Sequence, residues 1–243
     1  LISMVISGGT IVSSLLSGKV LNRFGTGKVT FVSVAMTAVA LLGFSFAPSF
    51  IWVLLCAVPL GLGAGAVDSG LNDYVAQHYK SYHMSWLHCF WGVGTILGPM
   101  IMSQNIAQEG SWRNSYFTVS MIQFVLVIAL FFSLPLWEKV ANISKADPAE
   151  TVGQEQNEKP QKLLSLLKMD GIKMALATFL FYCGLESTMG LWGSSFLVKA
   201  KGFDAATAGR WVSLFYGGIT VGRLISGFIS MKVSNKTLIR TGE

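Results

Sequence analysis

Apolar residues dominate seven long stretches of this chain, and short polar or charged connections separate them. The stretches cover about residues 1–21, 29–47, 50–73, 84–104, 114–136, 172–198 and 208–230. Each has roughly the 20 residues that an α-helix needs to cross the hydrocarbon core of a bilayer. The pattern predicts an all-α, multi-pass membrane protein with about seven spans.

A polar stripe interrupts the third stretch. Gly61, Gly65, Asp68 and Asn72 are spaced i, i+4, i+7 and i+11, so they share one face of a helix. The glycines allow another helix to approach closely, and the acid and amide then face that helix or a cavity beside it. An Asp inside a membrane helix costs about 2.5–3.5 kcal/mol on insertion scales, so such residues are usually kept for a function.

Composition and charge agree with a membrane protein. Charged residues make up 12% of the chain, against about 25% in soluble domains. The net charge of +6 is concentrated in alternate connections, which is the positive-inside pattern and not a sign of nucleic-acid binding. Cys56, Cys89 and Cys183 lie in apolar spans without disulfide or metal-ligand spacing, so they are interpreted as small hydrophobes. We expect no metal and no cofactor.

Residues 138–170 differ in kind from the spans, since they mix charges of both signs with two prolines and a glycine. They predict a cytoplasmic linker between an N-terminal half, residues 1–137, and the start of a C-terminal half, residues 171–243. Residues 162–168 predict either a short helix on the membrane surface or the beginning of the next span.

The chain repeats across this linker. Residues 8–18, GGTIVSSLLSG, are similar to residues 217–227, GGITVGRLISG, and both carry small residues at every fourth position. Chance similarity of two glycine-rich apolar helices is the alternative explanation. A repeat with the same orientation predicts two structurally related halves.

These features resemble the major facilitator superfamily, which has two six-helix halves and a loop G-x-x-x-D-R-x-G-R/K-R/K after the second helix. Gly18, Arg23, Gly25 and Lys28 match that loop, whereas Asn22 replaces its acid and the basic end comes one residue late. The resemblance implies that these five residues form the gating loop. It also implies that the chain is a fragment that covers family helices two to eight.

A narrower resemblance concerns the third and fourth spans. Asp68-x-x-x-Asn72 resembles the E-x-x-x-N of the fucose:proton symporters, with a carboxylate one methylene shorter. Residues 84–94, MSWLHCFWGVG, are similar to the N-L-x-x-x-F-x-x-x-G region that follows it in that branch. This resemblance implies sugar transport coupled to protons.

Four polar residues are candidate proton or solute contacts, and each has a structural alternative. Asp68 suits reversible proton binding, which we favour over a fixed hydrogen bond or ion pair. The Asn72 amide suits either a sugar hydroxyl or an interhelical hydrogen bond. His88 suits proton relay, solute binding or a structural hydrogen bond. Glu186 is the other acid inside an apolar span, and the resemblance places its helix beside a central cavity, so we assign it proton or solute contact.

Aromatic and basic residues near Glu186 complete the candidate set. Tyr182 lies on the same face, and tyrosine and tryptophan rings suit the apolar faces of sugars. Trp192 is predicted either to contact solute or to pack at the membrane interface. Arg223 either pairs with Glu186 or extends toward the cytoplasmic surface, and we favour the extension.

The leading functional hypothesis is proton-coupled symport of a sugar-like solute by alternating access. A proton-driven exporter of drugs or metabolites is the alternative, and a membrane sensor that does not transport is a third possibility. A membrane enzyme is not expected, because the chain has no H-E-x-x-H or G-x-S-x-G motif. We expect a monomer in the cell membrane, with the solute, protons and lipid as its partners and no nucleic acid.

Overall fold

The structure is a computed structural model that describes residues 1–109, 111–146, 169 and 171–242. The described residues form eight α-helices and no strands. The helices are α1 (Ile2–Phe24), α2 (Thr26–Ser45), α3 (Phe50–His78), α4 (Ser81–Glu109), α5 (Trp112–Ala146), α6 (Ile172–Lys201), α7 (Ala205–Ile229) and α8 (Asn235–Gly242). Most of the predicted linker, including the possible surface helix at residues 162–168, lies outside the described residues.

The prediction of a multi-pass all-α membrane protein is confirmed. Helices α1, α2, α3, α5, α6 and α7 are long and apolar enough to cross a membrane. The sequence predicted seven spans, one more than these six. The additional one is α4, which is 29 residues long but is not apolar enough to be counted among them. Its first half carries Tyr82, His83, Ser85 and His88, and these polar side chains lower its mean hydropathy.

The helices pack as two groups. In the first bundle, α3 packs against α1 and α2, and α5 packs on the other side of α2. In the second bundle, α4 and α6 both pack against α7. Helix α4 has fewer contacts with α3 and α5, so its main partner is a helix that lies beyond the predicted linker.

The predicted glycine stripe does bring α3 close to another helix, and that helix is α1. A Cβ atom at Gly61 would collide with the carbonyl oxygen of Ile6, and one at Gly65 would lie 2.5 Å from the carbonyl oxygen of Thr10. The Thr10 hydroxyl donates a hydrogen bond to the Gly61 carbonyl oxygen at 3.2 Å. Small residues therefore allow the two backbones to touch, as the spacing predicts.

A single residue connects α1 to α2. Gly25 has φ 80° and ψ 150°, a backbone conformation that costs little only for glycine. Its N–H donates to the Leu21 carbonyl oxygen at 2.8 Å, which closes the end of α1. Of the predicted gating loop, only Gly25 is therefore outside a helix, and its other residues belong to the end of α1 and the start of α2.

The two copies of the sequence repeat are helical in both bundles but use different small residues for packing. In α1, a Cβ atom at Gly9 would lie 3.0 Å from the Leu62 backbone nitrogen, whereas at Gly18 it would meet nothing within 4 Å. In α7 the pattern is reversed, because Gly218 is open and Gly227 touches the Trp86 ring. Similar sequences therefore support different helix contacts.

Candidate functional site

The first group of candidate residues lies on α3. The Asn72 side-chain nitrogen donates a hydrogen bond to the Asp68 carboxylate at 3.1 Å, as residues four apart on one helix face can. Asp68 is exposed, while the Asn72 amide oxygen is buried and has no partner among the described residues. This hydrogen bond resembles the structural alternative for Asp68, whereas for Asn72 it lies within one helix and is not the interhelical bond of its alternative, and the amide oxygen of Asn72 stays unused.

The second group surrounds Arg223 of α7. One guanidinium nitrogen, Nη2, donates to the Tyr182 hydroxyl at 2.7 Å and to Glu186 Oε2 at 3.4 Å. The other, Nη1, donates to the His88 carbonyl oxygen at 3.4 Å. The guanidinium carbon also lies 4.9 Å from the centroid of the Trp91 ring, within the range of a cation–π interaction. Arg223 thus joins α7 to both α6 and α4.

The ion pair between Arg223 and Glu186 corrects the sequence-based interpretation, which favoured extension of Arg223 toward the cytoplasmic surface. The two residues are 37 positions apart in the chain, and they meet because α6 packs against α7. A charge inside an apolar bundle is costly unless it is paired and hydrogen-bonded. The guanidinium therefore stays with the Glu186 carboxylate.

The carboxylate of this cluster, Glu186, is buried. The residue is 8% exposed, and its Oε1 atom is buried without a partner among the described residues. Oε2 carries the ion pair. A buried acceptor without a donor is energetically unfavourable. A solute hydroxyl cannot reach an atom with so little accessible surface in this conformation.

Helical spacing explains how these residues come together. Tyr182 and Glu186 are four residues apart on α6, so they share one face. Gly190 continues that face one turn further, where a Cβ atom would collide with the Tyr216 hydroxyl. Because Gly190 leaves this space free, the Tyr216 hydroxyl reaches the Glu186 carbonyl oxygen at 3.2 Å.

On α7, one stripe of four residues faces α4 and α6. Tyr216, Thr220, Arg223 and Gly227 are spaced i, i+4, i+7 and i+11, like the stripe on α3. Tyr216 and Trp91 were not among the candidates predicted from the sequence, and pairing of Arg223 with Glu186 was the less favoured of its two predicted arrangements. The shared spacing on α7 is the signal that could have found Tyr216 and Arg223 together.

The remaining predicted contacts are placed less closely. His88 approaches Arg223 through its backbone carbonyl, and its side chain is half-buried. Trp192 is 67% exposed. Of the predicted gating-loop residues, Gly18, Asn22 and Arg23 lie in the last turns of α1 and Lys28 in the first turn of α2, and all four are exposed. The Arg23 guanidinium lies 5.4 Å from the Phe24 ring centroid.

A cavity in the first bundle is not lined by either group of candidate residues. That cavity has a volume of about 490 Å³ and lies where α2 ends and where α3 and α5 begin. Aromatic and apolar side chains line it together with Arg113, whose guanidinium donates to the Ala47 carbonyl oxygen at 2.9 Å. It is therefore separate from both candidate groups.

Six helices that are long and apolar enough to cross a membrane define a polytopic membrane protein, and the buried ion pair between α6 and α7 is a candidate functional site within it. The sequence profile of the Major Facilitator Superfamily matches residues 1–242. The chain belongs to this superfamily, whose members transport small-molecule solutes and are not enzymes.

Curated relatives extend the comparison. "Bypass of stop codon protein 6" of Saccharomyces cerevisiae is 25% identical over 91% of this chain and 48% of its own length. The glucose/mannose transporter GlcP of Bacillus subtilis is 22% identical over 93% of the chain and 55% of its own length. The cis,cis-muconate transport protein of Acinetobacter baylyi is 21% identical over 94% of the chain and 56% of its own length. The chain thus spans about half the length of these relatives.

Proposed function

We propose that the protein is a secondary active transporter of the cell membrane that couples proton entry to uptake of a sugar-like solute by alternating access. The observation that carries the proposal is the Glu186 carboxylate, which is buried, paired on one oxygen and unpartnered on the other. Such a group would hold a proton on its unpartnered oxygen. Residues 138–170 would then be a cytoplasmic linker between halves 1–137 and 171–243, and the protein would act as a monomer.

The charge balance of the Arg223 cluster supports a neutral solute. While Glu186 is ionised, its carboxylate matches the Arg223 guanidinium, so in that state the cluster offers no excess charge to an anion. Beside the ion pair, Trp91 is 47% exposed and Tyr182 is 42% exposed. Half-exposed aromatic faces suit the apolar CH patches of a sugar ring, and the tyrosine hydroxyl suits its polar rim.

Asp68 and Asn72 form a second candidate pair in this proposal. Asp68 is exposed, so it would exchange protons directly with water, and the Asn72 amide would hold its carboxylate in place through their hydrogen bond. The resemblance to fucose:proton symporters rests on these two residues together with residues 84–94. The name of the Bacillus relative also favours a hexose.

The test is uptake by the complete protein, expressed from its gene and reconstituted in proteoliposomes. Labelled glucose, mannose and fucose would be offered with an imposed pH gradient, acid outside, and cis,cis-muconate would be the anionic comparison. We expect one or more of the neutral sugars to accumulate against their gradient. Accumulation of muconate alone would contradict the neutral-solute proposal, and pH-driven efflux of solute would favour the exporter.

Two variants test which carboxylate binds the transported proton. Glu186→Gln and Asp68→Asn each remove an ionisable group while keeping its shape, and Asp73→Asn makes the same change at another exposed acid of α3 as the matched control. We expect Glu186→Gln to lose pH-driven accumulation more than downhill exchange, and Asp73→Asn to behave as the unmodified protein. Full accumulation by Glu186→Gln would exclude it as the proton carrier and leave Asp68.

A further inference from the structure

We propose that Arg223 transmits the protonation state of Glu186 to the contact between α4 and α7. The inference rests on the proposed proton coupling at Glu186. It assigns a positioning role to Arg223 and a sensing role to Trp91.

The guanidinium is shared between two helices that belong to different parts of the chain. Toward α6 it has the Tyr182 hydroxyl and the Glu186 carboxylate, and toward α4 it has the His88 carbonyl oxygen and the Trp91 ring. Arg223 is therefore held from both sides, and a change in one set of partners alters its balance with the other.

The contact with Glu186 is the one that protonation would weaken. At 3.4 Å it is longer than the 2.7–2.9 Å that is usual for charge-assisted hydrogen bonds, so most of its strength comes from opposite charge. When Glu186 takes up a proton, that attraction is lost. Within the described part of the chain, no other carboxylate lies at ion-pair distance from Arg223.

The partners that remain after protonation favour α4. The His88 carbonyl oxygen and the Trp91 face both attract a cation, and a cation–π interaction strengthens as its surroundings become drier. The Tyr182 hydroxyl keeps part of the guanidinium near α6. We therefore expect Arg223 to move toward Trp91 when Glu186 is neutral and back toward α6 when it is charged.

The position of Arg223 on α7 gives this movement an effect on helix packing. One turn before it, Thr220 lies against Gly92 of α4 so closely that a Cβ atom at Gly92 would collide with the threonine hydroxyl. One turn after it, Gly227 lies against the Trp86 ring, which is 2.6 Å from the Cβ position. Arg223 thus acts between two tight contacts of α4 with α7.

The other titratable groups near the pair belong to the same helices. Tyr182 and Cys183 on α6 and Tyr216 on α7 interact with the pair, and His88 on α4 contacts Arg223 through its backbone carbonyl oxygen. Histidine is the residue type whose charge ordinarily changes between pH 5 and 8. A His88→Gln variant is therefore required to separate its titration from that of Glu186.

The experiment follows Trp91 by fluorine NMR in the complete protein labelled with fluorotryptophan in nanodiscs, with the resonance assigned by Trp91→Phe. In the unmodified protein and in His88→Gln we expect the chemical shift of Trp91 to change with pH. The midpoint of this change should equal the midpoint of the pH dependence of uptake. In Glu186→Gln it should stay at its low-pH position at every pH. In Arg223→Gln it should not respond to pH, while Arg223→Lys should keep a smaller response.

Transport by the same variants gives an independent measure. Arg223→Gln should lower the ratio of pH-driven accumulation to downhill exchange roughly tenfold, because couplings between sites commonly span about 5–150-fold. The double variant Glu186→Gln/Arg223→Gln, which has no unpaired charge, reports whether loss in the single variants is only misfolding.

The outcomes separate this inference from the proposed function. If Glu186→Gln keeps full accumulation, the proton assignment itself is wrong. If Glu186→Gln loses accumulation but the Trp91 resonance ignores pH in the unmodified protein, Glu186 carries the proton and Arg223 does not transmit it. A Trp91 response that persists in Arg223→Gln would also overturn the inference.

Discussion

Arg223 Nη2 lies 3.4 Å from Glu186 Oε2, and this ion pair joins α7 to α6 inside the second bundle. The same guanidinium contacts the His88 carbonyl and the Trp91 ring on α4. One side chain therefore connects the three helices of this bundle, and its partners can be tested separately.

The first prediction concerns the energetic coupling of the pair. Arg223→Gln leaves a buried carboxylate without its cation, and Glu186→Gln leaves the guanidinium without its anion, so each change should destabilise the protein. The double variant should be more stable than the sum of the single effects predicts, by about 0.5–3 kcal/mol. Chemical unfolding of the purified protein in detergent measures this cycle, and additive effects would show that the two residues do not interact.

The space beside Gly190 provides a second prediction. Gly190→Ala should be destabilising by about 1–3 kcal/mol, the usual cost of overpacking, because its methyl group would collide with the Tyr216 hydroxyl. Tyr216→Phe removes that hydroxyl and should recover most of the loss in the Gly190→Ala background.

Gly184→Ala is the matched control for this change. Gly184 lies on the same helix as Gly190, and a Cβ atom at Gly184 would meet nothing within 4 Å. Thermal unfolding of the four proteins measures the effect. Equal melting temperatures for Gly190→Ala and Gly184→Ala would contradict the described packing of α6 on α7.

The seam between α4 and α7 gives a third prediction, for transport. Gly92→Ala should push these helices apart at Thr220 and lower the maximal rate of solute uptake, and Thr220→Ala in the same protein should restore part of it. Gly94→Ala, two residues away on α4 and open within 4 Å, is the control. Initial rates at matched protein amounts in proteoliposomes measure the change, and no difference between the two alanine variants would argue against a close seam.

The turn between α1 and α2 gives the fourth prediction. Gly25→Ala places a Cβ atom at φ 80° and ψ 150°, a region that is populated essentially only by glycine and costs about 1–3 kcal/mol for other residues. We expect a lower melting temperature and a lower yield of folded protein. Gly18→Ala has open space and a helical backbone, so it should be neutral or slightly stabilising. Equal behaviour of the two variants would show that the turn tolerates a side chain.

Several features followed from the sequence because they depend on local properties. Helix length and uninterrupted apolar composition are enough to predict six of the membrane spans, whatever their neighbours. The spacing of Gly61 and Gly65 also predicted a close helix contact, since small residues on one face can serve little else. The superfamily was also recognisable from the sequence, because its loop motif is a short local pattern around Gly25.

Other features depend on which helix faces meet, and only the tertiary structure decides that. The sequence contains Glu186 and Arg223 but does not say that their helices turn these residues toward each other, so the favoured interpretation of Arg223 was wrong. It contains two similar glycine ladders, yet Gly9 packs in one copy and Gly227 in the other. Apolar helices can pack through many faces, because lipid and neighbouring helices are similarly apolar. The choice among those faces comes from the summed contacts of whole helices, and it places Arg223 between Glu186 and Trp91.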